Sequence, residues 1–203
     1  MRIVVIGATG TIGKAVADAL AGRHEVVRVA RQGGDLQVDI SSKESIIQFF
    51  EALGPFDALV SAAGETRFKP VEELSDEDFA FCLANKLMGQ VNLVRAGLRH
   101  VRDGGSFTLT SGVLGLHPMR GSSAISLVNM GLEGFARAAA LEAPRGIRVN
   151  VVSPPWLTET LEAMGSARAG ASSGLPAVAV AKAYVESVES SRTGEVLDAC
   201  AFA

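Results

Sequence analysis

The sequence predicts a doubly wound α/β domain, a parallel sheet of about seven strands with helices on both faces, and three observations carry that expectation. Short apolar runs recur near residues 2 to 6, 25 to 30, 36 to 39, 56 to 60, 106 to 110, 147 to 152 and 195 to 199. Helical patterns alternate with them, the arrangement that buries a parallel sheet between two helical layers. The first run stops at a glycine-rich turn that opens a helix, MRIVVIGATGTIG. A chain of 203 residues with 48% hydrophobic content is long enough for one compact domain with a substantial core, so 1–203 reads as a single domain.

The glycine turn is the first element with chemistry. A strand that ends in a tight turn and feeds a helix leaves backbone N–H groups and the positive end of the helix dipole facing one spot, which suits a pyrophosphate. Gly7 permits the turn, Gly10 removes a Cβ where phosphates approach, and Gly13 lets the helix beginning near Thr11 lie close to the strand. Thr9, Thr11 and Ile12 complete the phosphate-facing stretch, and Ile12, Val16, Ala19 and Leu20 give the helix an apolar face. The spacing is GxxGxxG rather than the GxGxxG common in dinucleotide-binding folds. An ordinary strand-to-helix turn is the alternative reading.

Further along, Ser75 followed by Asp76, Glu77 and Asp78 has the form of a capping box. Pro144 and Gly146 end a long helical pattern over about 122 to 143. The alanine-, glycine- and serine-rich stretch 161 to 175 follows a strand end, where α/β proteins bind ligands; it reads either as a short substrate-side lid or as a plain connector.

Composition narrows the partners. A net charge of -3 with no basic stripe argues against nucleic acid and against an anionic membrane surface, and no stretch has the length of a membrane span. The N-terminal apolar run passes straight into the glycine loop without a signal-peptide cleavage pattern. Cys82 and Cys200 are isolated, and His24, His100 and His117 form no ligand pattern. A cytoplasmic, metal-free protein acting on a small molecule is expected.

The order of motifs resembles the short-chain dehydrogenase/reductase family over nearly the whole chain. The glycine loop is followed by Asp39-Ile40 after the third strand and by Ser61-Ala62-Ala63-Gly64 after the fourth. Asn85 matches the family's structural and catalytic asparagine, and Ser111 stands at the end of the fifth strand. Then come the block GLEGFARAAALEAPRGIRVNVVSP and a terminal TGEVLDA. The resemblance implies that Asp39 and Ile40 contact adenine and that Ala62, Ala63 and Gly64 line the cofactor. It also implies oligomers paired through two long helices, near 85 to 101 and 122 to 143, as a homodimer or tetramer.

Charge argues for the cofactor. NAD sites place an acidic side chain after the second strand for the ribose 2′-hydroxyl, whereas NADP needs a cation for the 2′-phosphate. Here that strand, EVVRVAR, ends on Arg31, whose fork matches a phosphate. NADP(H) is therefore favoured over NAD(H), which Asp35 nearby keeps as the alternative.

The family's chemistry rests on a Tyr-x-x-x-Lys pair, two side chains on one helical face. The resemblance puts Ile125 in the tyrosine slot and Asn129 in the lysine slot. Isoleucine has no proton to give, and asparagine can hold a ribose hydroxyl but carries no charge. Tyr184, the only tyrosine, lies in the last helix and reads as a packing residue. Any proton must come from elsewhere. Ser111 can polarise a carbonyl, alone or with Asn85 and a water; His117, six residues on, is an acid by its ordinary pKa or else a loop residue without a role. Lys86, beside Asn85, reads as a surface charge. The family's Pro-Gly after the sixth strand appears as Pro154-Pro155, with Thr158 or Thr160 to supply a hydroxyl and Trp156 either a substrate wall or core. Two functions remain open: an NADP(H)-dependent oxidoreductase with a non-tyrosine proton relay, and a non-catalytic NADP(H)-binding sensor.

Overall fold

A computed structural model describes residues 1–164 and 174–203. Its seven-stranded sheet comprises β1 (Arg2–Ile6), β2 (Glu25–Ala30), β3 (Leu36–Gln37), β4 (Phe56–Ser61), β5 (Val101–Thr110), β6 (Arg148–Ser153) and β7 (Val196–Asp198). All neighbours pair in parallel, in the order β3-β2-β1-β4-β5-β6-β7. The chain steps outward from β1 to β3 and then returns to β4 on the other side of β1. Helices leaving β1 and β4 therefore diverge, and a crevice opens at the carboxyl ends of these two strands.

The apolar run of β1 is continuous because both faces are buried. Val4 and Ile6 enter the core under α2 (Lys43–Leu53), α4 (Met88–Gly97) and α5 (Ser123–Glu142), whereas Ile3 and Val5 enter the core under α1 (Thr11–Ala21) and α7 (Ala177–Glu189). On α1, Val16 and Leu20 are completely buried, each worth roughly 1.5–3 kcal/mol of transfer free energy. Tyr184 is fully buried in the same layer, and its hydroxyl meets Thr110 Oγ1 at 2.7 Å. Since Thr110 Oγ1 donates its proton to the Ser61 carbonyl at 2.6 Å, the tyrosine must be the donor to Thr110.

The helix signals hold in detail. Ser75 Oγ accepts from Asp78 N–H and Asp78 Oδ2 accepts from Ser75 N–H, each at 3.2 Å, which opens α3 (Asp76–Cys82) with a capping box. After α5, Pro144 cannot continue the ladder, and Arg145 (φ 58°) and Gly146 (φ 70°) turn the chain away.

Three expectations differ. β5 begins at Val101, five residues before the apolar run, because Arg102, Asp103 and Gly104 are exposed and carry no apolar signal. The third strand shortens to Leu36–Gln37. The helix foreseen from 85 is continuous with α3 through a π-helical turn, Leu83–Leu87, before α4 begins. Of the stretch 161 to 175, the N-terminal part belongs to α6 (Thr158–Met164) and Leu175 bridges to Leu157; the rest of that expected lid or connector, 165–173, lies outside the described residues.

Candidate active site

The crevice between β1 and β4 is built at backbone contact distance. Gly7 has φ +84°, and a Cβ there would lie 2.6 Å from the Ala62 carbonyl oxygen. A Cβ on Gly13 would lie 2.1 Å from the Gly7 carbonyl oxygen, so only glycine lets α1 start this close to β1. The helix is capped by Gly10 with no side-chain hydrogen bond and has no acidic residue in its first turn. The first-turn amides of Thr11, Ile12 and Gly13 thus keep no intrahelical acceptor, and the positive end of the dipole is unopposed.

These groups border a cavity of about 230 Å³. Gly7, Thr9 and Gly10 form its floor, Arg31 stands at the end of β2, and Asp39 and Ile40 follow β3; Ala62, Ala63 and Gly64 leave β4, with Asn85 facing them. Arg31 is largely exposed and lies 3.3 Å from Glu65, a loose pair open to a stronger anion. Asp35, the residue that spoke for NAD(H), is spent elsewhere: its carboxylate accepts the Arg28 N–H at 2.8 Å, and it does not line the cavity. Asp39 accepts from the Ser41 hydroxyl and N–H, and these bonds hold its carboxyl below the usual range. Asn85 Oδ1 accepts the Glu65 N–H at 2.7 Å, which positions the loop after β4.

Gly64 is shared with an adjoining cavity of about 370 Å³ over the ends of β5 and β6. Ser111, Ile125, Asn129, Pro154, Trp156 and Thr160 all line it. Trp156 is therefore a wall of the site. Thr160 rather than Thr158 faces the space, because the Thr158 hydroxyl donates to the Gly174 carbonyl at 3.0 Å. His117 is exposed and is not part of the lining; its N–H closes a turn on the Val113 carbonyl.

The Ser111 hydroxyl proton is committed. Its hydroxyl donates to Glu133 Oε1 at 3.1 Å, and Glu133 is a buried carboxylate whose other oxygen has no hydrogen-bond partner among the described residues. A hydroxyl proton held by a carboxylate is not free to polarise a substrate carbonyl, so what Ser111 offers in this state is an acceptor. Asn129 Nδ2 donates to the Gly112 carbonyl at 3.1 Å while its buried Oδ1 has no partner among the described residues.

Sequence reasoning placed Lys86 near the site but read it as a surface charge. It lines this second cavity, and its Nζ donates to the Ser111 carbonyl at 2.8 Å. Gly64 makes the room: a Cβ there would lie 2.8 Å from Lys86 Cγ. Burial lowers the ammonium from 10.5 to about 8, against a smaller opposing effect of the Cys82 sulfur. The surface-charge reading fails because the π-turn holds more residues per turn than an α-helix, so the adjacent Asn85 and Lys86 point less far apart and both reach the site. One turn on, Gln90 locks this helix to the end of β5, accepting from Thr110 N–H at 2.9 Å and donating to the Thr110 carbonyl at 3.0 Å.

A crevice at the switch point of a parallel sheet, continued into a polar cavity over the next two strands, is the arrangement in which doubly wound α/β proteins bind dinucleotides. The chain belongs to the short-chain dehydrogenase/reductase family: the family profile described as enoyl-(acyl carrier protein) reductase matches residues 7–202. It is 31% identical over 228 residues to the 3-oxoacyl-(acyl-carrier-protein) reductase of Escherichia coli K12, covering 96% of this chain and 93% of that one. The rat enzyme of the same name is 32% identical over 160 residues, 77% of this chain; the match spans 65% of the rat protein's length. Among solved structures, the protein lin1944 from Listeria innocua superposes with a TM-score of 0.94 at 40% identity, with 98% of each chain covered. A small-chain dehydrogenase in complex with NADPH superposes with a TM-score of 0.86 at 29% identity, covering 98% of this chain and 95% of that one. No described helix is long and apolar enough to cross a membrane.

Proposed function

We propose that the protein is an NADP(H)-dependent oxidoreductase, one domain over 1–203, that interconverts a small carbonyl compound and its alcohol without a tyrosine proton donor. The observation that carries the reading is the pair of cavities joined at Gly64, with Arg31 in the first and the polar cluster of Lys86, Ser111 and Asn129 in the second. The residues fit the cofactor: the unopposed first turn of α1 suits its pyrophosphate, Arg31 its 2′-phosphate, and the unpartnered Oδ1 of Asn129 a ribose hydroxyl. The NADPH-bound relative supports the same choice. When bound, the cofactor supplies or accepts a hydride. Asn85 holds the cavity loop, Ile125 and Trp156 exclude water from the reacting face, and Pro154 anchors the Val113 N–H through its carbonyl.

In this reading Ile125 and Asn129 occupy the slots of the family's Tyr-x-x-x-Lys pair, and the buried Tyr184 does not replace it. The test is NADPH oxidation by purified protein over a panel of aldehydes, ketones, quinones and, after the relatives' names, 3-oxoacyl thioesters. Turnover with at least one class supports the reading; NADPH binding without turnover across the panel overturns it. The second reading, an NADP(H)-binding sensor, draws on Ile125 in that slot. It is supported by unequal affinity for NADP+ and NADPH without chemistry.

We also read the protein as a homo-oligomer paired through α4 and α5. On α5, Leu127 (49% exposed), Met130 (40%) and Leu141 (90%) form an apolar stripe with Gly134 between them.

A further inference from the structure

We propose that Lys86 carries the exchangeable proton of this site, delivering it from the π-turn ahead of α4 to the substrate oxygen; the inference rests on the oxidoreductase reading above. Its Nζ spends one of three hydrogens on the Ser111 carbonyl and keeps two for the cavity that Ile125 and Asn129 also line. The stem lies against Gly64, and the backbone that bears it is fixed by Gln90 to the end of β5, so the ammonium is held rather than swinging.

Its electrostatic setting matches the task. Among the described residues Lys86 makes no ion pair, its Nζ meeting the Ser111 carbonyl. A desolvated ammonium without a counter-ion destabilises a fold, which argues against a role as a structural staple. The titratable groups around it are few. Cys82 stands one turn earlier on the same helix. Glu133 on α5 is reached only through Ser111, with Arg137 3.7 Å beyond it; Glu65 after β4 is paired with Arg31; Glu159 on α6 accepts the Ala177 N–H. Desolvation brings the ammonium to about 8, close to working pH, where a group both holds and releases a proton. In the reductive direction the Nζ–H bond breaks and an O–H bond forms at the substrate oxygen as the carbonyl carbon receives the cofactor's hydride. Ketone, hydride and proton sum to the alcohol, and solvent reprotonates the neutral amine.

The experiment uses the full chain and three variants, Lys86→Met, Lys86→Gln and Lys86→Arg, between pH ~6 and ~10. The first readout is binding. The nicotinamide of NADP+ is positive and that of NADPH is not, so the wild-type affinity ratio shifts toward NADP+ as pH rises through about 8. Lys86→Met and Lys86→Gln flatten that profile. The second readout is turnover: both variants lose about 100-fold or more in kcat, and Lys86→Arg, cationic but unable to release a proton, keeps cofactor affinity and loses kcat. Variants that keep the wild-type profile and kcat overturn the proposal, as does a flat wild-type profile. If the wild type turns over no carbonyl, the oxidoreductase reading falls, while the binding profile still decides whether Lys86 faces the nicotinamide. Should the neutral variants not fold, Cε resonances of Lys14, Lys43, Lys69, Lys86 and Lys182 in the wild type serve instead. One is expected to titrate near 8 and to move on adding NADP+; five ordinary lysines overturn the assignment.

Discussion

Replacing Arg31 tests the cofactor assignment most directly. Its guanidinium stands at the mouth of the first cavity with Glu65 at 3.3 Å, both side chains more than half exposed. Such a pair is worth at most about 1 kcal/mol, so it yields readily to a phosphate. A charge-assisted guanidinium–phosphate contact is worth about 1.5–3 kcal/mol, which corresponds to about 10- to 150-fold in affinity. Arg31→Ala is therefore expected to weaken NADPH binding by about 10- to 150-fold and to leave NADH, which lacks the 2′-phosphate, nearly unchanged. Arg31→Asp adds repulsion and inverts the preference. Glu65→Gln acts oppositely: freeing the arginine tightens NADPH by up to about 5-fold. Dissociation constants for both cofactors are to be measured by fluorescence titration at one ionic strength, since exposed charges are screened by salt. An NADPH-to-NADH affinity ratio unchanged in Arg31→Ala would refute the reasoning and return the choice to Asp39 and its neighbours.

Other outcomes follow from the packing and the charges. Gly13→Ala drives a methyl to 2.1 Å from the Gly7 carbonyl oxygen; α1 must shift, with an expected loss of about 1–3 kcal/mol in urea denaturation together with weaker NADPH binding. Tyr184→Phe removes one buried hydrogen bond to Thr110, about 1 kcal/mol and a Tm lower by ~2–4 °C, with kcat unchanged; a fall in kcat instead would make this tyrosine catalytic. Because Lys86 sits near 8 when folded against 10.5 in the open chain, the unfolded state binds more protons between those values. Wild-type stability relative to Lys86→Met is therefore expected to rise from pH 8 to 10.5 and to be level below; a flat profile across that window would place this amine in solvent. Paired changes of Leu127 and Leu141 to Glu put charge on the apolar stripe of α5 and are expected to leave monomers by light scattering.

The sheet was legible wherever burial on both faces forces an unbroken apolar run. β1 reads at its observed bounds, because Ile3 to Ile6 have no solvent side to advertise. The start of β5 was not, since Arg102 to Gly104 extend along a solvent-facing edge of the strand where pairing is a backbone matter and side chains are free to be polar. The glycine loop was legible for a different reason. Gly7 and Gly13 are demanded by contacts within a dozen residues of chain or at the neighbouring strand end, so the requirement is written where it acts.

The second half of the site depends on contacts that span the chain. Lys86 reaches Ser111, 25 residues on, over a gap left by Gly64, and nothing local distinguishes it from a lysine in water. The one local hint was its place beside Asn85, and that becomes informative only once the π-turn sets Asn85 on the first cavity and Lys86 on the second, which meet at Gly64. Glu133 was hidden in the same way, an acidic residue on an otherwise apolar helical face that meaning reaches only through Ser111 Oγ. A nucleotide is held mainly by backbone geometry, and backbone geometry survives side-chain replacement. Proton transfer needs one titratable atom in one place, and the residue supplying it can change helices while the cavity keeps its shape. In this chain α5 offers Ile125 and Asn129 to that cavity, and the adjoining π-turn offers the ammonium. The binding half and the chemical half of this site therefore call for separate variants, Arg31 for the first and Lys86 for the second.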